Sequence, residues 1–123
     1  MQAMVLNRSA DIDDAPLTLQ TVQDPHPAPS EVRIAVRVCA VCRTDLHVIE
    51  GDLPTERRPV IPGHQVVGIV DELGEGCATL SPGDRVGIAW LRSTDGTCRF
   101  CRAGRENLCA ASRYTGYHSD GGY

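Results

Sequence analysis

The stretch Thr94 to Cys109, TDGTCRFCRAGRENLC, constrains this chain more than any other. Two residues separate Cys98 from Cys101, so one tight loop can aim both sulfurs at a single point. Cys109 comes back to them after a turn that Gly104 permits. Three thiolates leave a tetrahedral site one ligand short. Asp95, with two residues between it and Cys98, repeats the same short spacing on the other side. A carboxylate is an acceptable zinc ligand, and one with three thiolates carries the formal charge of four thiolates. A closed four-ligand set has no position left for substrate, so the stretch reads as a structural zinc site. Two plainer readings stand beside it. Cys98 and Cys101 as a redox pair would want a βαβ setting that the surrounding pattern lacks. Inert buried thiols fit poorly with Arg99, Arg102, Arg105, Glu106 and Asn107 around them. Asp95 beside Gly96 also suits a simple turn.

Six cysteines in 123 residues would suit disulfides only in an oxidising compartment. The first ten residues show no secretory pattern, so the expected compartment is the cytoplasm and the expected role of the clustered cysteines is metal binding. Net charge is −4 with no basic run, which argues against nucleic acid or an anionic membrane as a partner. Apolar runs are strand-sized, far short of the roughly 20 residues of a membrane span. With 41% hydrophobic and 23% charged residues, the chain has the composition of one folded domain.

Most of the chain reads as strands and turns. Glu31 to Val38 alternates, with Val32, Ile34, Val36 and Val38 on one face and Arg33 and Arg37 on the other. Leu17 to Val22 reads as an earlier strand, followed by a Pro-rich loop from Asp24 to Ser30. Val66 to Leu73 is a third strand, ended by the turn Gly74-Glu75-Gly76. Ser81-Pro82-Gly83-Asp84 fits a tight turn, and Arg85 to Leu91 a further strand. Only Thr44 to Glu50 looks helical, with Thr44 or Asp45 as its N-cap. Short strands spaced by turns predict a small barrel or sandwich. No G-x-G-x-x-G occurs, so no dinucleotide-binding unit is expected within these residues.

Cys42-Arg43-Thr44-Asp45-Leu46-His47 and Gly63-His64-Gln65 form a second constellation. A thiolate and an imidazole on separate loops supply two of the three protein ligands that a catalytic zinc needs. Asp45 is placed to accept the other N–H of His64 and fix its tautomer. Spacing alone equally allows a core cysteine and an ordinary loop histidine.

Three stretches together resemble the N-terminal, GroES-like catalytic domain of zinc-dependent medium-chain alcohol dehydrogenases. They are VCRTDLH (Val41 to His47), PGHQVVGIVDELGEG (Pro62 to Gly76) with GDRVGIAWL (Gly83 to Leu91), and DGTCRFCRAGRENLC (Asp95 to Cys109). The tail YTGYHSDGGY, Tyr114 to Tyr123, is similar to the segment that follows the zinc lobe in that family. The resemblance implies one domain over residues 1–123, a mainly β, partly open GroES-like barrel with few short helices and a zinc lobe at 93–112. It implies a catalytic zinc held by Cys42 and His64, with Asp45 behind the histidine, and a structural zinc held by Asp95, Cys98, Cys101 and Cys109. Thr44 and His47 match a proton relay that reaches solvent through the cofactor ribose. Arg43 matches a position that meets the cofactor pyrophosphate. Trp90 matches a substrate-pocket position where an indole narrows the space toward small alcohols or aldehydes; ordinary core packing is the alternative.

The sequence departs from the family pattern at two places. Gln65 stands where the family usually has Glu, and Asp95 where it usually has a first cysteine. The family's third catalytic ligand and its NAD(P)-binding Rossmann domain match nothing between Met1 and Tyr123, so the chain is expected to be part of a longer, homo-oligomeric enzyme. These residues alone are expected to give no turnover and to hold a catalytic zinc weakly or not at all, unless Cys39, His47 or Gln65 completes the shell. A free-standing zinc-stabilised β module for binding or assembly is the alternative function.

Overall fold

The computed structural model describes residues 1–54 and 57–123. β1 (Gln2–Leu6) pairs antiparallel with β2 (Leu17–Thr21), Gln2 opposite Thr21 and Leu6 opposite Leu17. β3 (Val32–Ala40), β4 (Gln65–Leu73) and β5 (Arg85–Ile88) form an antiparallel sheet in that order. β6 (Leu91–Ser93) and β7 (Arg113–Tyr114) form a short ribbon at the base of the cysteine lobe. One helix, α1 (Arg43–Glu50), follows β3. No helix of the described residues is long and apolar enough to cross a membrane.

The core joins the first hairpin to the helix. Leu6, Val48, Ile49, Val60 and Tyr117 are buried together, with Leu17, Leu53, Trp90 and Tyr114 packed against them. A second group, Ala3, Val5 and Ile61, is flanked by Val22 and Tyr123. Val60 and Ile61 therefore belong one to each group, so the loop that leads into His64 runs through the middle of the core. Leu6 and Val60 exchange both backbone hydrogen bonds, at 2.8 and 3.1 Å, which fastens β1 to that loop.

The tight turns stand where glycine and proline put them. Asp84 N–H donates to Ser81 O at 3.1 Å, and Gly83 takes φ +97°, a left-handed angle that glycine adopts without strain. Other elements differ from the sequence reading. The alternation in β3 does not give one buried face: Val36 and Val38 are 44% and 57% exposed. Register shifts between Arg33 and Ile34 and between Val36 and Val38 interrupt the period of two. The expected strand Arg85 to Leu91 is two strands, because Ala89 and Trp90 leave the sheet and Leu91 pairs with Tyr114 instead of β4. β1 has no counterpart in the sequence reading. The N-cap of α1 is Cys42 and not Thr44 or Asp45. Asp45 is the third helical residue, and its Oδ2 accepts from the Cys42 N–H at 2.9 Å, the reciprocal half of a capping box.

Candidate metal centres

The lobe between β6 and β7 is built from turns. Asp95 Oδ1 accepts from the N–H groups of Thr97 (2.8 Å) and Cys98 (2.9 Å), and Gly96 sits at φ +68°. A 3-10 turn, Cys101–Ala103, closes when Gly104 at φ +67° donates to Cys101 O at 3.1 Å. A second, Glu106–Leu108, delivers Cys109, which is buried. The side chains of Arg99 and Arg105 lie over the Phe100 ring, at 4.5 and 5.7 Å from its centre.

These turns converge Asp95, Cys98, Cys101 and Cys109, whose donor atoms all lie within 4.8 Å of one another. The Cys98 and Cys101 sulfurs are 3.5 Å apart, close to the edge of about 3.8 Å that zinc–sulfur bonds of about 2.3 Å define in a tetrahedron. The donor set therefore fits zinc. The carboxyl of Asp95 is held down at about 2 by the Cys98 and then the Thr97 N–H. The Cys98 thiol is lowered first by the backbone N–H of Cys101. Cys101 is pushed up to about 11: Thr94 draws it down, but partial burial and the neighbouring Cys98 and Cys109 outweigh that. The Cys101 thiol, held up by its crowding against the other two sulfurs, is what a dication would relieve.

The second cluster forms where β3 ends and β4 begins. Ala40 and Gln65 are the last pair of that ladder, and Cys42 and His64 stand just beyond it. Cys42 Sγ is 3.3 Å from His64 Nε2. A zinc with bonds of about 2.3 and 2.05 Å would separate sulfur and nitrogen by about 3.5 Å. His64 Nδ1 lies 3.0 Å from Asp45 Oδ1, and both side chains are buried, at 6% and 2% exposure. That contact leaves Nε2, facing Cys42, as the free lone pair. Asp45 thus holds both donors, His64 through Oδ1 and the Cys42 backbone through Oδ2.

The remaining candidates lie around this pair. Thr44 is half-buried and three residues before His47 on α1, which puts the two on one helix face. His47 Nδ1 is 2.7 Å from Asp52 Oδ2, a partner that the sequence reading did not contain. Arg43 is exposed at the start of α1. Trp90 meets His64 edge-on at 4.9 Å between ring centres and stacks on Tyr114 at 4.8 Å. It also packs against the core, as the packing alternative expects. The donor group comprises Cys42, Asp45 and His64; Cys39, whose thiol is pushed up by burial, lies against Gly63 and Gly122 instead. Gln65 is exposed as the first residue of β4. Asp52 and Tyr123 carried no signal at sequence level beyond an acid after Gly51 and a double glycine before the tyrosine.

A mainly β frame, a lobe that gathers one aspartate with three cysteines, and a Cys–His pair backed by a buried carboxylate make the architecture of a zinc-type dehydrogenase domain. Residues 28–123 match the alcohol dehydrogenase GroES-like domain family, and the chain belongs to it. The Mycobacterium tuberculosis protein named "Probable alcohol dehydrogenase AdhA" is 55% identical over 128 residues, covering 100% of this chain and 37% of that protein. The cobalt- and zinc-bound thermostable alcohol dehydrogenase of Pyrobaculum aerophilum superposes with a TM-score of 0.91 at 31% identity, over 100% of this chain and 37% of that one. An NAD-dependent alcohol dehydrogenase superposes with a TM-score of 0.89 at 31% identity, over 98% and 35%. The chain spans about a third of the length of the relatives it matches.

Proposed function

We propose that this chain is the catalytic domain of an alcohol dehydrogenase that moves hydride between a small primary or secondary alcohol, or its aldehyde, and NAD(P). The observation that carries this reading is the approach of Cys42 Sγ to His64 Nε2 at 3.3 Å, with Asp45 buried behind the histidine. Zinc bound there would act as a Lewis acid and lower the pKa of the alcohol. Cys42 and His64 hold two of its coordination positions, and Asp45 keeps His64 in the tautomer that presents Nε2. Thr44 takes the alcohol proton and His47 passes it on, with Asp52 holding Nδ1 so that Nε2 is left for the transfer. Arg43 meets the cofactor pyrophosphate. Trp90, edge-on to His64, narrows the substrate side. Asp95, Cys98, Cys101 and Cys109 hold a second, structural zinc. The enzyme works in the cytoplasm, as its unpaired, clustered cysteines suggest, and as a homo-oligomer.

The test uses the full protein that carries these residues. It is expected to oxidise a short alcohol with NAD(P), and His64→Ala should abolish turnover while one zinc per chain, the lobe's, remains. Undiminished turnover in His64→Ala would falsify the reading. Residues 1–123 alone should give no turnover, because this reading assigns the third ligand and the cofactor site to other residues.

A further inference from the structure

Cys42 and His64 lie beyond the last pair of the β3–β4 ladder, Ala40 with Gln65, so no ladder hydrogen bond sets their separation. The tail of the chain reaches this gap from the other side. Gly121 N–H donates to Ile61 O at 2.7 Å, Tyr123 N–H to Pro62 O at 3.2 Å and Gly122 N–H to Gly63 O at 3.1 Å. The Tyr123 carbonyl accepts from Met4 N–H at 3.2 Å, which ties the tail to β1 as well. Glycine is required along this seam. A Cβ on Gly121 would come within 2.0 Å of the Gly63 carbonyl oxygen, and one on Gly63 within 2.6 Å of the Tyr123 ring. The Tyr123 ring therefore seats on the residue before His64, and its hydroxyl donates to Ala40 O at 3.3 Å, two residues before Cys42.

We propose that Tyr123 is a positioning residue for the Cys42–His64 centre, bracing the two ligand-bearing loops against each other through its ring on Gly63 and its hydroxyl on Ala40. The inference rests on the metal reading given above. Burial and then the nearby Asp45 carboxylate raise the phenol above its ordinary value, which places the hydroxyl beside the group that orients His64. One side chain thus bears on both loops and faces the carboxylate that links them.

The test is a cobalt(II) titration of the full protein with Tyr123→Phe and Tyr123→Ala, followed by the visible d–d bands. Cys42→Ser and Cys109→Ser assign each band to its site. Tyr123→Phe, which keeps the ring, should weaken cobalt at the Cys42–His64 centre about threefold to tenfold, the effect of one hydrogen bond. Tyr123→Ala should weaken it by about tenfold to a hundredfold and shift its bands, as loss of support around a metal ligand does. The lobe's affinity and bands should not change in either variant. Wild-type affinity and bands in both variants overturn the inference, and so does equal weakening of both sites, which would mark a general loss of fold. If the unsubstituted protein takes up one cobalt, at the lobe alone, the metal reading itself falls and this inference falls with it.

Discussion

Asp95 has two oxygens and two tasks. Oδ1 accepts the N–H groups of Thr97 and Cys98 and so shapes the turn, while the carboxylate also joins the three sulfurs. Substitutions separate the tasks. Asp95→Asn keeps an oxygen for the turn but removes the anionic ligand, so chelator competition should find zinc held less tightly with the lobe's backbone intact. Asp95→Cys should hold zinc more tightly, since thiolate is the softer donor. Tighter zinc in Asp95→Asn would remove the carboxylate from the ligand set. Asp45 is the opposite kind of residue, 1% exposed with both oxygens engaged. Asp45→Ala leaves the Cys42 N–H and the His64 ring without their acceptor, which costs about 1–3 kcal/mol in urea unfolding and about tenfold to a hundredfold in metal affinity at His64. The Asp95–Cys109 set was legible in the sequence because its spacing is local. The pairing of Cys42 with His64 was weak in spacing alone and gained its weight from resemblance. Asp52 was not legible because it meets His47 only through the turn at Gly51 that ends α1, and Tyr123 because its contacts with Ala40 and Gly63 depend on where distant backbone is brought.

At the scale of elements, nonlocal pairing decided what the pattern could not. β1 lacks a clean period and exists because β2 and the Val60 loop both bind it. β3 alternates in sequence, yet its bulges and its exposed valines break the single buried face that alternation implies. Trp90 ends β5 because its indole leaves the sheet for the stack with Tyr114 and Tyr117. The loop before His64 is closely packed: Gly63 sits at φ +94°, and an added Cβ would lie 2.6 Å from the Tyr123 ring and 2.8 Å from Cys39 Sγ. Gly63→Ala should therefore cost about 2–4 kcal/mol, combining backbone strain with overpacking, and a urea midpoint equal to wild type would contradict this. A gentler link joins the loop before β3 to β6. Glu31 Oε1 accepts from Arg92 at 2.6 Å, and this bond, then the Ala28 N–H, lowers the glutamate below its ordinary value of 4.5. Its contribution is thus present above about pH 4.5 and is lost as pH falls through the lower folded value. Both partners are well exposed and screened, so Glu31→Gln should cost only about 0.2–1 kcal/mol at pH 7. The gap to wild type should close in acid; a gap that widened there would reverse the assigned sign.

Across the whole molecule, the cysteine lobe and the sheet-and-helix body are held in different ways. The sheet and helix share a core around Leu6, Val48 and Val60. Between residues 93 and 112, all of them described, Cys109 alone is buried, and the rest of the lobe is half-buried or exposed. Its backbone is 3-10 turns and glycine bends, whose hydrogen bonds are all short-range and give little cooperative order by themselves. With apolar burial this slight, a metal held by Asp95, Cys98, Cys101 and Cys109 would supply the cross-link that orders the lobe. Chelation should then loosen the lobe and leave the core folded. Arg99, Arg102 and Arg105 provide trypsin sites inside it and are exposed, so the change can be read directly. The metal-loaded protein should resist brief trypsin treatment at these arginines. After chelator it should be cut there first, while circular dichroism of the strands changes little, and zinc added before the protease should restore resistance. Cys109→Ser should behave as chelated protein even with zinc present, because it removes the one ligand that the core side buries. Cutting at the same rate with and without metal would mean that the turns hold themselves, and that the four converging ligands are not what keeps the lobe in place.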